Sequence, residues 1–268
     1  MSDDEVGVLI VSLIVAVVSW GAWYITPTFV GRVGRRVPGR RLLQLTPLVA
    51  AALLLAVLRY AASYDVRDDP AYLALYLLLG AAWVGVSIRW LAVTGISTRD
   101  DVVERANGSA SLAVAGAIIG ITLAYAGGNI GDGPGWWVVV FCAALATLAL
   151  FAAWMLLEMA SGVSDAVTVD RDPSAGMRLG GFLVACGLIL GRSVAGDWVS
   201  VDATVHDFAL MAWPVVVLVV VAAIIERVAR PTPDTPRPAL VPYGLAPALL
   251  YVAGAAYQVM RLGSLLSR

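Results

Sequence analysis

The chain of 268 residues contains no lysine, a single histidine, His206, and only two cysteines, Cys142 and Cys186. One histidine cannot supply the paired axial ligands by which haem is commonly held between helices. Nor do these residues furnish the three or four nitrogen and sulfur ligands of a typical zinc site. Cys142 and Cys186 stand singly inside apolar stretches, with no CxxC spacing. They read as small packing residues, and no disulfide framework or thiol-redox centre is expected. A Ser–His nucleophile would rest on His206 alone, and no G-x-S-x-G elbow occurs. Without a following lysine, Gly131-Asp132-Gly133-Pro134-Gly135 is a tight turn and not a phosphate loop. Asp197, Asp202, His206 and Asp207 read as a solvated acidic loop. No catalytic residue, metal ligand or cofactor is expected.

Charge is also scarce. Only 14% of residues are charged and 60% are hydrophobic, where a soluble domain carries about 25% charged residues. The apolar residues come in long blocks, at about 6–31, 42–62, 71–96, 108–127, 136–160, 175–196, 208–228 and 242–262. Blocks of this length match a hydrocarbon core of about 30 Å crossed at 1.5 Å per residue. Backbone in lipid must satisfy its own hydrogen bonds, so each block is expected to be a helix. The expected fold is an all-α polytopic membrane bundle of about eight transmembrane helices. The loops are too short to form an aqueous domain, which disfavours most hydrolase and transferase chemistry. The start, Met-Ser-Asp-Asp-Glu, is acidic where a signal peptide is basic, so the first block reads as a retained helix.

All 18 basic residues are arginine, the usage of a GC-rich genome, and they set the orientation. Arg32, Arg35, Arg36, Arg40, Arg41, Arg99, Arg105, Arg171, Arg230 and Arg237 fall on one side of an eight-helix arrangement. The opposite loops, 64–69, 128–135 and 197–207, hold only Arg67. The arginine side is expected to be cytoplasmic, with the N-terminus outside. Arg261 and Arg268 oppose this placement of the last helix. Trp90, Trp136, Trp137 and Trp198 stand near block ends, where aromatic residues favour the interface. Basic residues scattered over membrane-flanking loops point to the lipid bilayer as partner, and not to nucleic acid.

Arg41, Arg105, Arg171 and Arg237 each precede an even-numbered block at intervals of 64, 66 and 66. This predicts a single membrane domain over 1–268, with a leading helix and basic loop over 6–40. Hairpin repeats follow over 41–103, 104–169 and 170–236, and a terminal half-repeat over 237–268. Small residues recur every fourth position at Gly116, Gly120, Ala124 and Gly128, and again at Gly187, Gly191 and Ala195. The last three stand 67 residues after Gly120, Ala124 and Gly128. Such stripes let helix backbones approach closely, within a chain or between copies in a homo-oligomer. Both hairpins point the same way, unlike the inverted repeats of many secondary transporters. The duplicated entry Glu104-Arg105-Ala106-Asn107 and Asp170-Arg171-Asp172-Pro173, leading into small-residue helices, resembles the YjfL type of bacterial inner-membrane proteins. The resemblance covers roughly residues 100–230, with Pro173 standing where the first copy has Asn107. It implies two tandem two-helix units in the bacterial inner membrane, and no activity.

Ionisable residues approach the membrane only near block ends. Arg59, Arg192 and Arg261 lie toward the outer side, and Arg89, Glu158, Arg178, Glu226 and Arg227 toward the inner side. A proton- or ion-coupled site would place a charge at mid-depth. Arg59 and Arg192 are expected to pair with outer aspartates such as Asp65 and Asp197. Pro27, Pro47, Pro214 and Pro247 can kink their helices. Two functions remain, neither enzymatic. One is a channel or small-solute permeation subunit, for which only Gln44, Thr46, Thr122 and Gln258 offer scattered polar lining. The other is a membrane scaffold or envelope-stress component acting through partners or self-association. An eight-helix count expects a cysteine at Ser267 to be labelled from outside intact cells, and labelling only after permeabilisation would show an odd count.

Overall fold

The computed structural model describes residues 1–32 (side chains through 26), 39–230 and 239–262. Arg35, Arg36, Arg237, Ser267 and Arg268 lie outside the described residues, as do the side chains of Pro27 and Arg32. The described elements are helical, in the order α1 Asp3–Arg32, α2 Arg40–Tyr60, α3 Tyr64–Asp68, α4 Pro70–Ser87, α5 Gly108–Gly127 and α6 Trp136–Ser161. Then come α7 Val163–Thr168, α8 Pro173–Ser193, α9 Val201–Ala212, α10 Pro214–Val228 and α11 Ala246–Arg261. A 3₁₀ turn, Ile88–Thr94, extends α4, and π turns at Thr98–Glu104 and Val241–Leu245 precede α5 and α11. Seven of these helical segments are long and apolar enough to cross a membrane. The chain is a multi-pass helical membrane protein. The last block is shorter in regular helix, because a π turn takes Val241–Leu245 and α11 itself has 16 residues.

Local chemistry sets the helix starts. Asp69 accepts from the Ala71 amide at 2.7 Å ahead of Pro70, which needs no amide partner. Asn107 accepts from the amides of Ser109 and Ala110, and Asp172 from those of Ser174 and Ala175. The seventh span begins earlier than the apolar run suggests, at Val201, where the Ser200 hydroxyl accepts from the Ala203 amide at 3.1 Å. Asp202, His206 and Asp207 therefore sit on α9 and not in a loop. A good N-cap outweighs a few charged residues on an exposed helix face.

Burial ranks the helices. In α5 and α8, 78% of the spanning window is buried, against 17% in α1 and 22% in the span Val201–Val228. The central pair is thus α5 and α8. Helix α2 packs on α5 and α4, α1 on α4, α6 on α5, α8 and α10, and α11 on α8. Outer helices turn Val11, Ile14, Val17, Val18, Val216 and Ile224 outward, each more than half exposed, which suits lipid tails.

Glycine makes the central contact. A Cβ on Gly116 would lie 2.2 Å from the Gly180 Cα, and one on Gly120 2.4 Å from the Leu183 carbonyl oxygen. One on Gly187 would lie 2.2 Å from the Gly120 oxygen, and one on Gly191 2.3 Å from that of Leu123. Ala124 packs beside Gly191, fully buried. Gly128 faces α6 instead, against Cys142 and Val139, and Ala195 follows the end of α8. Gly176 and Gly180 join the crossing as well, although the sequence stripe begins only at Gly187.

The two halves share local geometry at an offset of 65. Ala106 and Arg171 both have φ 53°, Asn107 and Asp172 are both N-caps, and Gly131 and Gly196 both have positive φ. Asp172, and not Pro173, holds the place of Asn107. Residues 67 apart, such as Gly120 and Gly187, meet across the crossing. They are contact partners in a parallel, nearly in-register helix pair.

Gly187→Ala is expected to lose on the order of 2 kcal/mol or more, because backbone must move to admit the methyl group. Gly254→Ala, where a Cβ meets open space, is expected to stay within about 0.5 kcal/mol. Thermal midpoints in detergent check this, and equal midpoints would remove the close approach from the account.

Candidate functional site

The densest polar chemistry lies at the arginine-rich end of the central pair. It starts with the N-caps. The Asn107 side chain donates to the Val167 carbonyl at 2.7 Å while capping α5, so it ties α5 to the end of α7. The Ser109 hydroxyl donates to the Asp172 carbonyl at 2.5 Å and ties the start of α5 to the start of α8. Both side chains are buried.

One and a half turns into α8 stands Arg178, with no solvent exposure. Its Nε and Nη2 donate to Oε1 and Oε2 of Glu226 on α10, each at 2.7 Å. Its Nη1 donates to the Tyr243 carbonyl at 2.5 Å, in the π turn before α11. Asp172 lies 3.9 Å away. The flat guanidinium thus meets one carboxylate in a bidentate fork and ties three helical segments together. Glu226 is 1% exposed. A charge pair this deep is tolerated only because each charge is matched and hydrogen-bonded.

Neighbouring arginines cap a helix. Arg227 donates through Nε and Nη2 to the Ala160 carbonyl, at 3.1 and 2.8 Å. Arg230 donates to the carbonyls of Ser161 and Gly162. These carbonyls end α6, where the last turn has no partners of its own and carries the negative end of the helix dipole. Glu158 of the same turn accepts from the amide and hydroxyl of Ser164. Arg105 pairs with Asp101 at 2.8 Å, and Arg99 with Glu104 at 3.0 Å on the surface.

At the opposite end Arg59 donates to the Arg67 carbonyl and not to Asp65. Arg192 donates to the Leu262 carbonyl at 3.1 Å. Asp197 accepts from the Asp132 amide at 3.0 Å, which joins the turns that follow α5 and α8. In these positions the arginines meet backbone carbonyls beyond helix ends, a partner that side-chain charges alone do not reveal. Cys142 and Cys186 are both free and buried. His206 faces Asp207 at 3.6 Å, both exposed, and among the described residues no three ligand-type side chains are grouped to hold a metal.

The described spans carry hydroxyls that turn inward on their own helices. Thr46, Thr122, Ser161 and Ser193 each donate to the carbonyl four residues earlier, at 2.7–2.8 Å. These four hydroxyls are thus satisfied within their own helices. Only part of the polar web at the arginine-rich end, the N-caps Asn107 and Asp172 with Arg178, lies on a segment that resembles a known family. Residues 66–194 match the family described as Domain of Unknown Function (DUF350). The match runs from α3 through the end of α8, so it contains the N-caps and the glycine crossing but not Glu226. No curated protein and no solved structure matches the chain.

Removing one member of the buried pair leaves the other charge stranded. Arg178→Met or Glu226→Leu alone is expected to cost roughly 3–5 kcal/mol, and the double variant markedly less than either. Chemical or thermal unfolding in detergent measures this, and single variants as mild as Arg99→Met would show that the pair is no lock.

Proposed function

We propose that this protein is a non-catalytic component of the bacterial inner membrane that acts by associating with partners or further copies of itself. The observation that supports this is the crossing of α5 and α8, where backbone meets backbone along the bundle axis. A permeation path needs a polar or hydrated lining, and the close backbone packing of α5 on α8 leaves little room for one between those two helices. The reach of Arg178, Arg227 and Arg230 onto neighbouring elements gives a bundle tied at one end, as suits a scaffold. Catalysis needs a placed acid, base or nucleophile with a free side, and the buried carboxylate of Glu226 is occupied on both oxygens.

The resemblance to YjfL-type proteins over roughly 100–230 overlaps the family match over 66–194, and this supports the inner-membrane location. Arginine asymmetry supports an N-terminus outside. Association would use outer faces, since the glycines of α5 and α8 are occupied within the chain. Gly254 on α11 is one open small-residue position.

Purified protein reconstituted in liposomes is expected to pass potassium, chloride, protons and small neutral solutes no faster than empty vesicles. Flux that rises with protein density would overturn the scaffold reading in favour of a permeation subunit.

A further inference from the structure

The end away from the arginine web encloses a cavity of about 290 Å³, near the lower size of small-molecule sites. Three features of its wall define what it would accept. Glu5, Asp65 and Asp132 line it, and among the described residues no arginine or histidine does. Aromatic side chains of Tyr72, Tyr76 and Trp198 line it too. Asn129, 7% exposed, also lines it and is fixed there by its Nδ2, which donates to the Tyr125 carbonyl at 3.0 Å.

The wall is built before any ligand arrives. The outer turns of the two halves are strapped together: the Gly196 amide donates to the Ile130 carbonyl at 2.9 Å, and the Trp198 amide to that of Asp132 at 2.7 Å. Ala62 bridges to Gly131, which adds the turn after α2. The Trp198 ring is held edge-on by Trp137 and Phe141, at 5.2 and 5.7 Å between centroids. The Tyr72 hydroxyl donates to Glu5 at 3.1 Å, fixing one carboxylate beside one ring. Preorganisation of this kind lowers the ordering cost of binding.

Acidic groups without a basic counterpart favour a cation. Their spread over three separate elements does not gather a metal's ligands, whereas aromatic faces attract ammonium groups through their quadrupole. We propose that this cavity binds a small organic ammonium ion, with carboxylates supplying charge and the rings supplying the apolar wall. The free solute and the ammonium headgroup of a membrane lipid share this chemistry.

The test is calorimetric titration of the full chain in maltoside micelles, which carry no ammonium. Probes are tetramethylammonium, its neutral isostere neopentyl alcohol, magnesium, and dihexanoyl phosphatidylethanolamine. Saturable binding of tetramethylammonium is expected, weakened about tenfold by Asp132→Asn and by Tyr72→Leu. The Asp132 side chain carries no hydrogen bond that the fold uses, so Asp132→Asn reports on binding without misfolding. At least tenfold tighter binding of the short lipid than of tetramethylammonium would support the site and assign it to a headgroup. No saturable ammonium binding, equal binding of the neutral isostere, magnesium binding alone, or an unchanged affinity in Asp132→Asn would overturn it.

Discussion

The structure hangs on one close approach, between the backbones of α5 and α8. In lipid the tails are as apolar as leucine, so burying apolar surface gives helices little reason to associate. What remains is dispersion, which falls off steeply with distance, and hydrogen bonding. Glycine at 116, 120, 187 and 191 removes the side chains that would hold the two backbones apart. Because the pair is parallel and nearly in register, both helix starts meet at one end and both helix ends meet at the other. The Ser109–Asp172 contact and the strap of Gly196 onto Ile130 are consequences of that register. The other helices then wrap a core whose geometry is already set.

The two ends meet the cost of polar burial in different ways. At the arginine-rich end each charge finds a group that would otherwise be orphaned: carbonyls at the end of α6, the Tyr243 carbonyl, the Glu226 carboxylate. Long arginine side chains reach these groups while their stems remain in apolar surroundings. The result is a web with few free polar atoms, which holds the later helices to the central pair. At the opposite end the backbone of the turns after α5 and α8 is tied down, and Glu5, Asp65 and Asp132 line the 290 Å³ cavity. One end is thus tied by side chains and the other by backbone hydrogen bonds between its turns.

Much of this was legible beforehand. Block lengths located seven of the eight expected spans, because hydrocarbon thickness and helical rise leave little choice. The last block forms a regular helix of only 16 residues. The small-residue stripe pointed to close packing of blocks four and six. The arginines stand at intervals of 64 and 66 because they can sit anywhere around a helix entry, whereas the structure places the N-caps Asn107 and Asp172 at an offset of 65. Glycines 67 apart looked equivalent because a parallel crossing places a residue beside the near-equivalent of its neighbours. The pairing of Arg178 with Glu226 was not visible, since two charges 48 residues apart at the same depth have many candidate partners.

Composition and block length by themselves determined that the chain is a helical membrane bundle, since that follows from local residue type and transfer free energy. Only the tertiary structure decided which glycines touch, which carbonyls receive Arg59, Arg192 and Arg227, and which acidic and aromatic residues share a cavity. Those are contacts between segments far apart in sequence, set by how helices cross, and no local pattern encodes a crossing.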